Sequence, residues 1–103
     1  MSSDKLSEKE KIKVMEKELG MVLAKQICQA RTDQEWTQQQ VADAVFISLR
    51  WYQYIENEGF LPGARVLIAL VLLLDLDMEI FREHCKLGEL KKAASSAKRK
   101  HKK

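Results

Sequence analysis

The chain has few of the residues that build turns and few long apolar runs. It has one Pro and four Gly in 103 residues, which is too few turn-forming residues for a many-stranded β fold. The longest uninterrupted apolar run, 66–74, is nine residues, about half of the roughly 18 that a membrane span requires. The first ten residues lack the apolar stretch of a signal peptide. We therefore expect a cytoplasmic protein of one domain, without a membrane partner, and an all-α fold, because most apolar residues fall at helical spacing.

Cysteine and histidine are also scarce. Cys28 and Cys85 give neither metal-ligand spacing nor a disulfide framework. The only histidines are His84 and His101, and the adjacent His84 and Cys85 lack the third group that would orient a nucleophile and its base. The sequence therefore predicts no metal site, no cofactor and no small-molecule ligand, and it does not predict an enzyme.

Charge divides the chain into three parts. Residues 1–18 carry five Lys and five acids, residues 19–85 carry five Lys or Arg against nine acids, and residues 86–103 carry eight Lys or Arg against one acid. The middle is acidic and the end is strongly basic. We expect a helical N-terminal extension over 1–18, a globular domain over 19–85 and a disordered basic tail over 86–103.

Residues 37–59 predict two short helices joined by a tight turn. Thr37 and Gln40 have the spacing of a capping box, and Ser48 can cap the second helix. A capped helix, a turn of three to four residues and a second capped helix are typical of a helix-turn-helix.

Three further helices are predicted around this pair. Ser7 and Glu10 have capping-box spacing at the start of a helix that ends near Arg31. Gly20 within it is either a break or a point of close helix contact. Residues 64–74 and 78–85 predict the fourth and fifth helices of the domain. Because 64–74 is apolar on almost every face and such a helix must be covered, we expect a homodimer through these two helices or through the N-terminal extension.

The sequence resembles the lambda-repressor-like (Cro-type, XRE) helix-turn-helix domains over about residues 19–85. The residues that carry the resemblance are Arg31, Thr37-Gln38, Val41-Ala42, Ile47-Ser48, Ile55-Glu56-Asn57, and Pro62 followed by 67–70. It implies a five-helix domain that binds double-stranded DNA, with the helix at 48–57 in the major groove. It also implies a structural ion pair between Arg31 and Glu56.

The resemblance further implies which side chains contact DNA. Gln38 would contact a phosphate, and Arg50 would donate to guanine O6 and N7, although a phosphate contact or an ion pair with Glu58 or Asp43 are alternatives for Arg50. The complete set of candidate DNA-binding residues is Gln38, Ser48, Leu49, Arg50, Trp51, Gln53, Tyr54 and Asn57.

Three features depart from the family pattern. Trp51 replaces the small residue often found early in the recognition helix, and Trp51, Tyr52 and Tyr54 make that helix bulky for a groove about 12 Å wide. Phe46 lies where the turn usually has Gly, and a non-Gly residue at positive φ costs about 1–2 kcal/mol, so either the turn differs or the ring packs or contacts a partner. The acidic middle neutralises few phosphates, so we expect the tail to add affinity. The predicted function is a sequence-specific transcriptional regulator. The alternative is a protein-interaction module on the same fold, either antitoxin-like or regulator-binding.

Overall fold

The computed structural model describes residues 7–84, 91 and 94–95. Within them the chain forms five helices and no strand: α1 (Glu8–Asp33), α2 (Gln38–Ala44), α3 (Leu49–Glu58), α4 (Ala64–Leu74) and α5 (Glu79–His84). The all-α prediction is confirmed. All but three residues of the predicted basic tail, together with Cys85 and segment 1–6, lie outside the described residues. None of the described helices is both long enough and apolar enough to cross a membrane.

Three helices begin at the predicted side-chain caps. Ser7 Oγ accepts from the Glu10 N–H at 3.2 Å, and the Ser7 N–H donates to the Glu10 carboxylate at 2.9 Å. Thr37 and Gln40 make the same reciprocal pair at α2, and Ser48 Oγ accepts from the Trp51 N–H at α3. These bonds satisfy N–H groups that have no partner inside a helix.

The core lies where α2, α3, α4 and α5 close around the second half of α1. α3 packs on both α1 and α2, and α4 and α5 pack on α1. Residues 8–17 are exposed, and burial begins at 18–20. The buried apolar side chains are Leu23, Ile27, Val41, Ala42, Val45, Tyr52, Ile55, Val66, Leu70, Leu74 and Leu76.

α1 continues without a break through Gly20, where it meets the end of α3. Gly20 is buried, and a Cβ at this position would collide with the backbone carbonyl of Gly59. Gly59 ends α3 with a φ of 79°, a left-handed conformation that glycine adopts without steric cost. Of the two alternatives for Gly20, close helix contact is the one observed. The predicted extension is therefore the first part of α1, and the domain boundary at residue 18 stays a prediction.

We predict that Gly20→Ala lowers the free energy of unfolding by about 1–3 kcal/mol, the usual cost of overpacking, although alanine favours a helix by about 1 kcal/mol. Urea denaturation measures the change. Gly63→Ala is the matched control, because no atom lies within 4 Å of a Cβ there, and it should change stability by less than about 1 kcal/mol. Equal effects of the two substitutions would contradict the proposed role of the close contact.

Candidate functional site

An ion pair between the partly buried Arg31 and the buried Glu56 fixes α3 against α1. Arg31 Nε and Nη2 donate to the two carboxylate oxygens of Glu56, each at 2.9 Å, and the Glu56 side chain is 3% exposed. The Tyr52 hydroxyl donates to the same carboxylate, and Arg31 Nη1 donates to the Trp36 carbonyl at 2.6 Å. The ion pair expected from the family resemblance is thus present, and it also ties the α1–α2 connection to α3.

The electrostatics of this cluster favour a charged pair. Burial alone would raise the pKa of Glu56, but hydrogen bonds from Arg31, Tyr52 and Gln38 outweigh burial and hold that pKa below its ordinary value. Burial and the bond to Glu56 raise the pKa of Tyr52. At neutral pH the carboxylate is therefore ionised and accepts hydrogen bonds only, while the tyrosine remains a donor.

Gln38, in the first turn of α2, is engaged with three residues of α3. Its Nε2 donates to Glu56 Oε2 and to Asn57 Oδ1, each at 3.2 Å, and its Oε1 accepts from Gln53 Nε2 at 3.2 Å. Because both amide hydrogens are used inside the molecule, a side-chain contact to phosphate would require one of these bonds to break. The structure brings Gln38, Gln53 and Asn57 together in one polar network.

The outer face of α3 carries the remaining candidates. Arg50, Tyr54 and Asn57 are exposed, and Arg50 makes no hydrogen bond or ion pair with any residue that the structure describes. The alternative ion pairs of Arg50 with Glu58 or Asp43 are therefore not formed. Ser48 is exposed and caps the helix, while Leu49, Trp51 and Gln53 are partly buried.

Trp51 and Tyr54, two of the three aromatic residues of α3, pack with Phe60, whereas Tyr52 is buried in the core. The ring centroids of Trp51 and Tyr54 lie 6.1 Å apart, those of Trp51 and Phe60 6.0 Å, and those of Tyr54 and Phe60 5.5 Å. Arg50, Gln53 and Asn57 form one helical stripe at i, i+3, i+7 spacing, and Tyr54, four residues after Arg50 and three before Asn57, lies beside that stripe. Sequence reasoning missed Phe60, because it follows Gly59 and lies outside any helical period.

The turn between α2 and α3 is strained and is held from α4. Phe46 has a φ of 61°, and its side chain is 83% exposed, so the ring does not pack within the described chain. Arg65 Nη1 donates to the Val45 carbonyl at 3.1 Å, and Arg65 Nη2 lies 3.5 Å from the Phe46 carbonyl. No short sequence pattern predicts that Arg65 contacts this turn, because it lies about 20 residues further along the chain. A cationic side chain at the last carbonyls of α2 also complements the helix dipole.

Comparison with known proteins assigns neither a family nor a function to this chain. The chain matches no family model, no curated protein and no solved structure. In the described part of the chain, no group of three His, Cys, Asp or Glu side chains could hold a metal ion. What this site can do must therefore be inferred from the chain's own residues.

The lowered pKa of Glu56 predicts an acid-sensitive fold. This carboxylate contributes stability above the ordinary pKa of a glutamate, about 4.3, and the contribution is lost as pH falls through the lowered folded-state pKa. In Glu56→Gln, the free energy of unfolding should depend less steeply on pH below about 4.3. Denaturation at a series of pH values measures the slope. The control Glu58→Gln, which removes an exposed carboxylate from the same helix, should keep the wild-type slope; equal slopes for all three proteins would contradict the prediction.

Phe46 provides a second stability prediction. Phe46→Gly should be more stable than Phe46→Ala by about 1–2 kcal/mol, because both remove the ring but only glycine relieves the positive φ. Thermal denaturation of the two variants measures this difference. If the alanine variant were as stable as the glycine variant, the turn would not be strained.

Proposed function

We propose that the protein is a sequence-specific DNA-binding transcriptional regulator that inserts α3 into the major groove. The observation that carries the proposal is Arg50, an exposed cation near the start of a helix whose opposite face is fixed by the Arg31–Glu56 pair. A guanidinium without a protein partner can donate two hydrogen bonds to guanine O6 and N7. A helix held rigidly by its buried face can present that group in one direction.

The distribution of side chains around α3 supports this use. An α-helix with its side chains is about 10–12 Å across and enters a groove about 12 Å wide, so bulky residues on the reading face would obstruct it. Trp51 instead lies about a quarter turn away from Arg50 and packs with Phe60, while Tyr54 lies at the edge of the reading face. The stripe of Arg50, Gln53 and Asn57 is left to approach base edges and phosphates.

Charge supports a division of roles between α3 and the tail. Three basic side chains of the domain are engaged with protein acceptors: Arg31 with Glu56, Arg65 with the turn carbonyls, and Arg82 with Glu79 at 3.0 Å. Among described residues 19–84, Lys25 and Arg50 have no such acceptor. Two cations neutralise few phosphates, so the basic tail supplies most of the affinity in this proposal.

Binding to duplex DNA of random sequence tests both roles. Full-length protein should bind at low salt. Removing residues 88–103, which include seven Lys or Arg, should reduce the steepness of the salt dependence by up to about 0.9 for each phosphate that the tail neutralises. If neither protein binds at low salt, the regulator proposal fails. If both bind alike, the role of the tail is wrong.

Sequence specificity is tested with sites selected from random DNA. Arg50→Ala should reduce discrimination at one base position by about 1–3 kcal/mol, whereas the control Lys25→Ala, an exposed cation on α1, should leave every base preference unchanged. An equal loss on all sequences would make Arg50 a phosphate contact.

The same selected sites test the proposed homodimer. α4 exposes Ile68 by 57% and Leu72 by 74%, which is the apolar surface a second copy would cover, and the N-terminal half of α1 is the other candidate. A two-fold symmetric dimer selects two half-sites about one helical turn apart. A single unpaired half-site would argue against a dimer on DNA.

The second candidate function is a protein-interaction module, and Phe46 is the observation that favours it. An exposed aromatic ring at a strained turn stabilises nothing within the described chain, and aromatic residues are enriched at protein interfaces. If Phe46→Gly binds DNA as tightly as the unmodified protein, the Phe46 ring lies outside the proposed DNA-binding face. If the unmodified protein binds no duplex at all, the protein-interaction function is favoured.

A further inference from the structure

The N-terminal half of α1 carries an apolar stripe, the α1 seam, formed by Ile12, Met15 and Leu19. Ile12 is 54% exposed and Met15 is 40% exposed, while Leu19 is partly buried. Spacings of three and then four residues are those of the apolar positions of a coiled coil. Residues 8–17 are exposed along their whole length, and a helix this short is marginal in water unless one face is packed.

Four charged side chains flank the α1 seam, and their sign changes along it. Lys9 and Glu16 lie on one side of the seam, and Lys11 and Glu18 lie on the other. None of these four side chains makes an ion pair with a residue that the structure describes. The seam is therefore basic on both sides at its N-terminal end and acidic on both sides at its C-terminal end.

We propose that the α1 seam pairs with the same seam of a second copy of the chain, and that the two helices run antiparallel. The basic end of each seam then lies beside the acidic end of the other. Lys9 faces Glu16 of the second copy on one side, and Lys11 faces Glu18 of the second copy on the other. Two-fold symmetry repeats both contacts, which gives four pairs of opposite charge. Flanking charges of this kind set the orientation of paired helices.

The same pairs set the register of the two helices. When Ile12 of each copy packs on Met15 of the other, the charged partners lie within about 3 Å of each other along the helix axis. The paired segment is then 8–19, and it ends next to the buried Gly20, where the chain's own domain begins to cover α1. The two domains consequently lie at opposite ends of the helix pair.

A parallel pair through the same seam matches the charges less well. It brings Lys11 beside Glu16 of the other copy, but it gives Lys9 and Glu18 no opposite charge among the described residues. Glu18 also has no Lys or Arg three or four residues away on its own helix. The antiparallel pair uses all four charged side chains, so it is the arrangement that the sequence of charges favours.

The pairing is weak, because the paired segment is short. Twelve residues of helix are about 18 Å long, and two such helices bury less than the roughly 1,200 Å² at the lower limit of stable interfaces. We expect a dissociation constant of about 10 μM to 1 mM. This inference goes beyond the proposed DNA-binding function, because the pairing does not require DNA.

Sedimentation equilibrium of the full-length protein without DNA tests the pairing. The unmodified protein should form dimers as its concentration approaches about 1 mM. Lys9→Glu with Lys11→Glu makes all four pairs repulsive and should weaken dimerisation at least about tenfold. Glu16→Lys with Glu18→Lys should have the same effect, whereas a mixture of the two variants should form dimers again. A protein that stays monomeric at about 1 mM would overturn the proposal.

Lys13→Glu with Lys17→Glu is the matched control. Both lysines are exposed on the same part of α1, on the side away from the seam, and the net charge changes by the same amount. This variant should dimerise as the unmodified protein does. If it weakens dimerisation as much as Lys9→Glu with Lys11→Glu, net charge is responsible. If neither variant acts, the dimer uses another surface, such as α4. Either result would overturn the proposal.

A spin label on the exposed Cys28 measures the orientation, because α1 is one continuous helix. Cys85→Ser leaves one labelled thiol in each chain. The antiparallel register separates the two labels by about 43 Å along the helix axis, at about 1.5 Å per residue, whereas a parallel pair brings them to the same level. A distance below about 40 Å in the dimer would contradict the antiparallel arrangement.

The outcomes separate this inference from the proposed function. If the protein binds a specific DNA site but is a monomer without DNA at every concentration, the pairing is wrong and the DNA-binding proposal stands. If the protein dimerises through the α1 seam but binds no duplex, the pairing stands and the DNA-binding proposal fails.

Discussion

The Glu56 carboxylate is the group on which the arrangement of the first three helices depends. It accepts from Arg31 of α1, Gln38 of α2 and Tyr52 of α3. A buried ion pair adds little net stability, because desolvation offsets most of its Coulomb energy, and an apolar replacement is often as stable. The carboxylate instead constrains the geometry: Arg31 and Gln38 can both donate to it only when α1 and α2 lie in the observed positions against α3, whereas Tyr52 donates from one turn earlier on the same helix.

Gly20 and Phe46 are local departures from ordinary backbone preferences near this cluster, and different contacts compensate them. Gly20 lowers the helix propensity of α1, but it lets α1 meet the Gly59 carbonyl, so packing compensates the cost. Phe46 keeps a positive φ with its ring in solvent, and backbone hydrogen bonds at the end of α2 compensate it: the Phe46 N–H donates to the Asp43 carbonyl at 3.2 Å and the Ile47 N–H to the Ala42 carbonyl at 3.0 Å.

The sequence predicted the features that depend on residues close together in the chain. The caps of α1, α2 and α3 depend on residues three apart, so the sequence identified them, and helical periodicity was sufficient for the all-α fold. The continuity of α1 was undecided, because a helix propensity cost of about 1 kcal/mol is outweighed by a contact with Gly59, 39 positions along the chain. Arg65 and Phe60 were missed, and so was the Gln38–Gln53 bond, because each depends on where separate helices lie in the folded chain.

In the proposed regulator, the low number of free cations on the domain favours specificity. Phosphate contacts stabilise correct and incorrect complexes alike, so a basic tail raises affinity for every sequence and leaves the ratio between sequences unchanged. That ratio must then come from α3, where Arg50, Gln53 and Asn57 keep hydrogen-bonding groups that no described residue uses. A domain with little phosphate affinity of its own binds weakly when its base contacts are wrong. An acidic body is therefore compatible with the proposed function, because sequence discrimination does not depend on phosphate neutralisation.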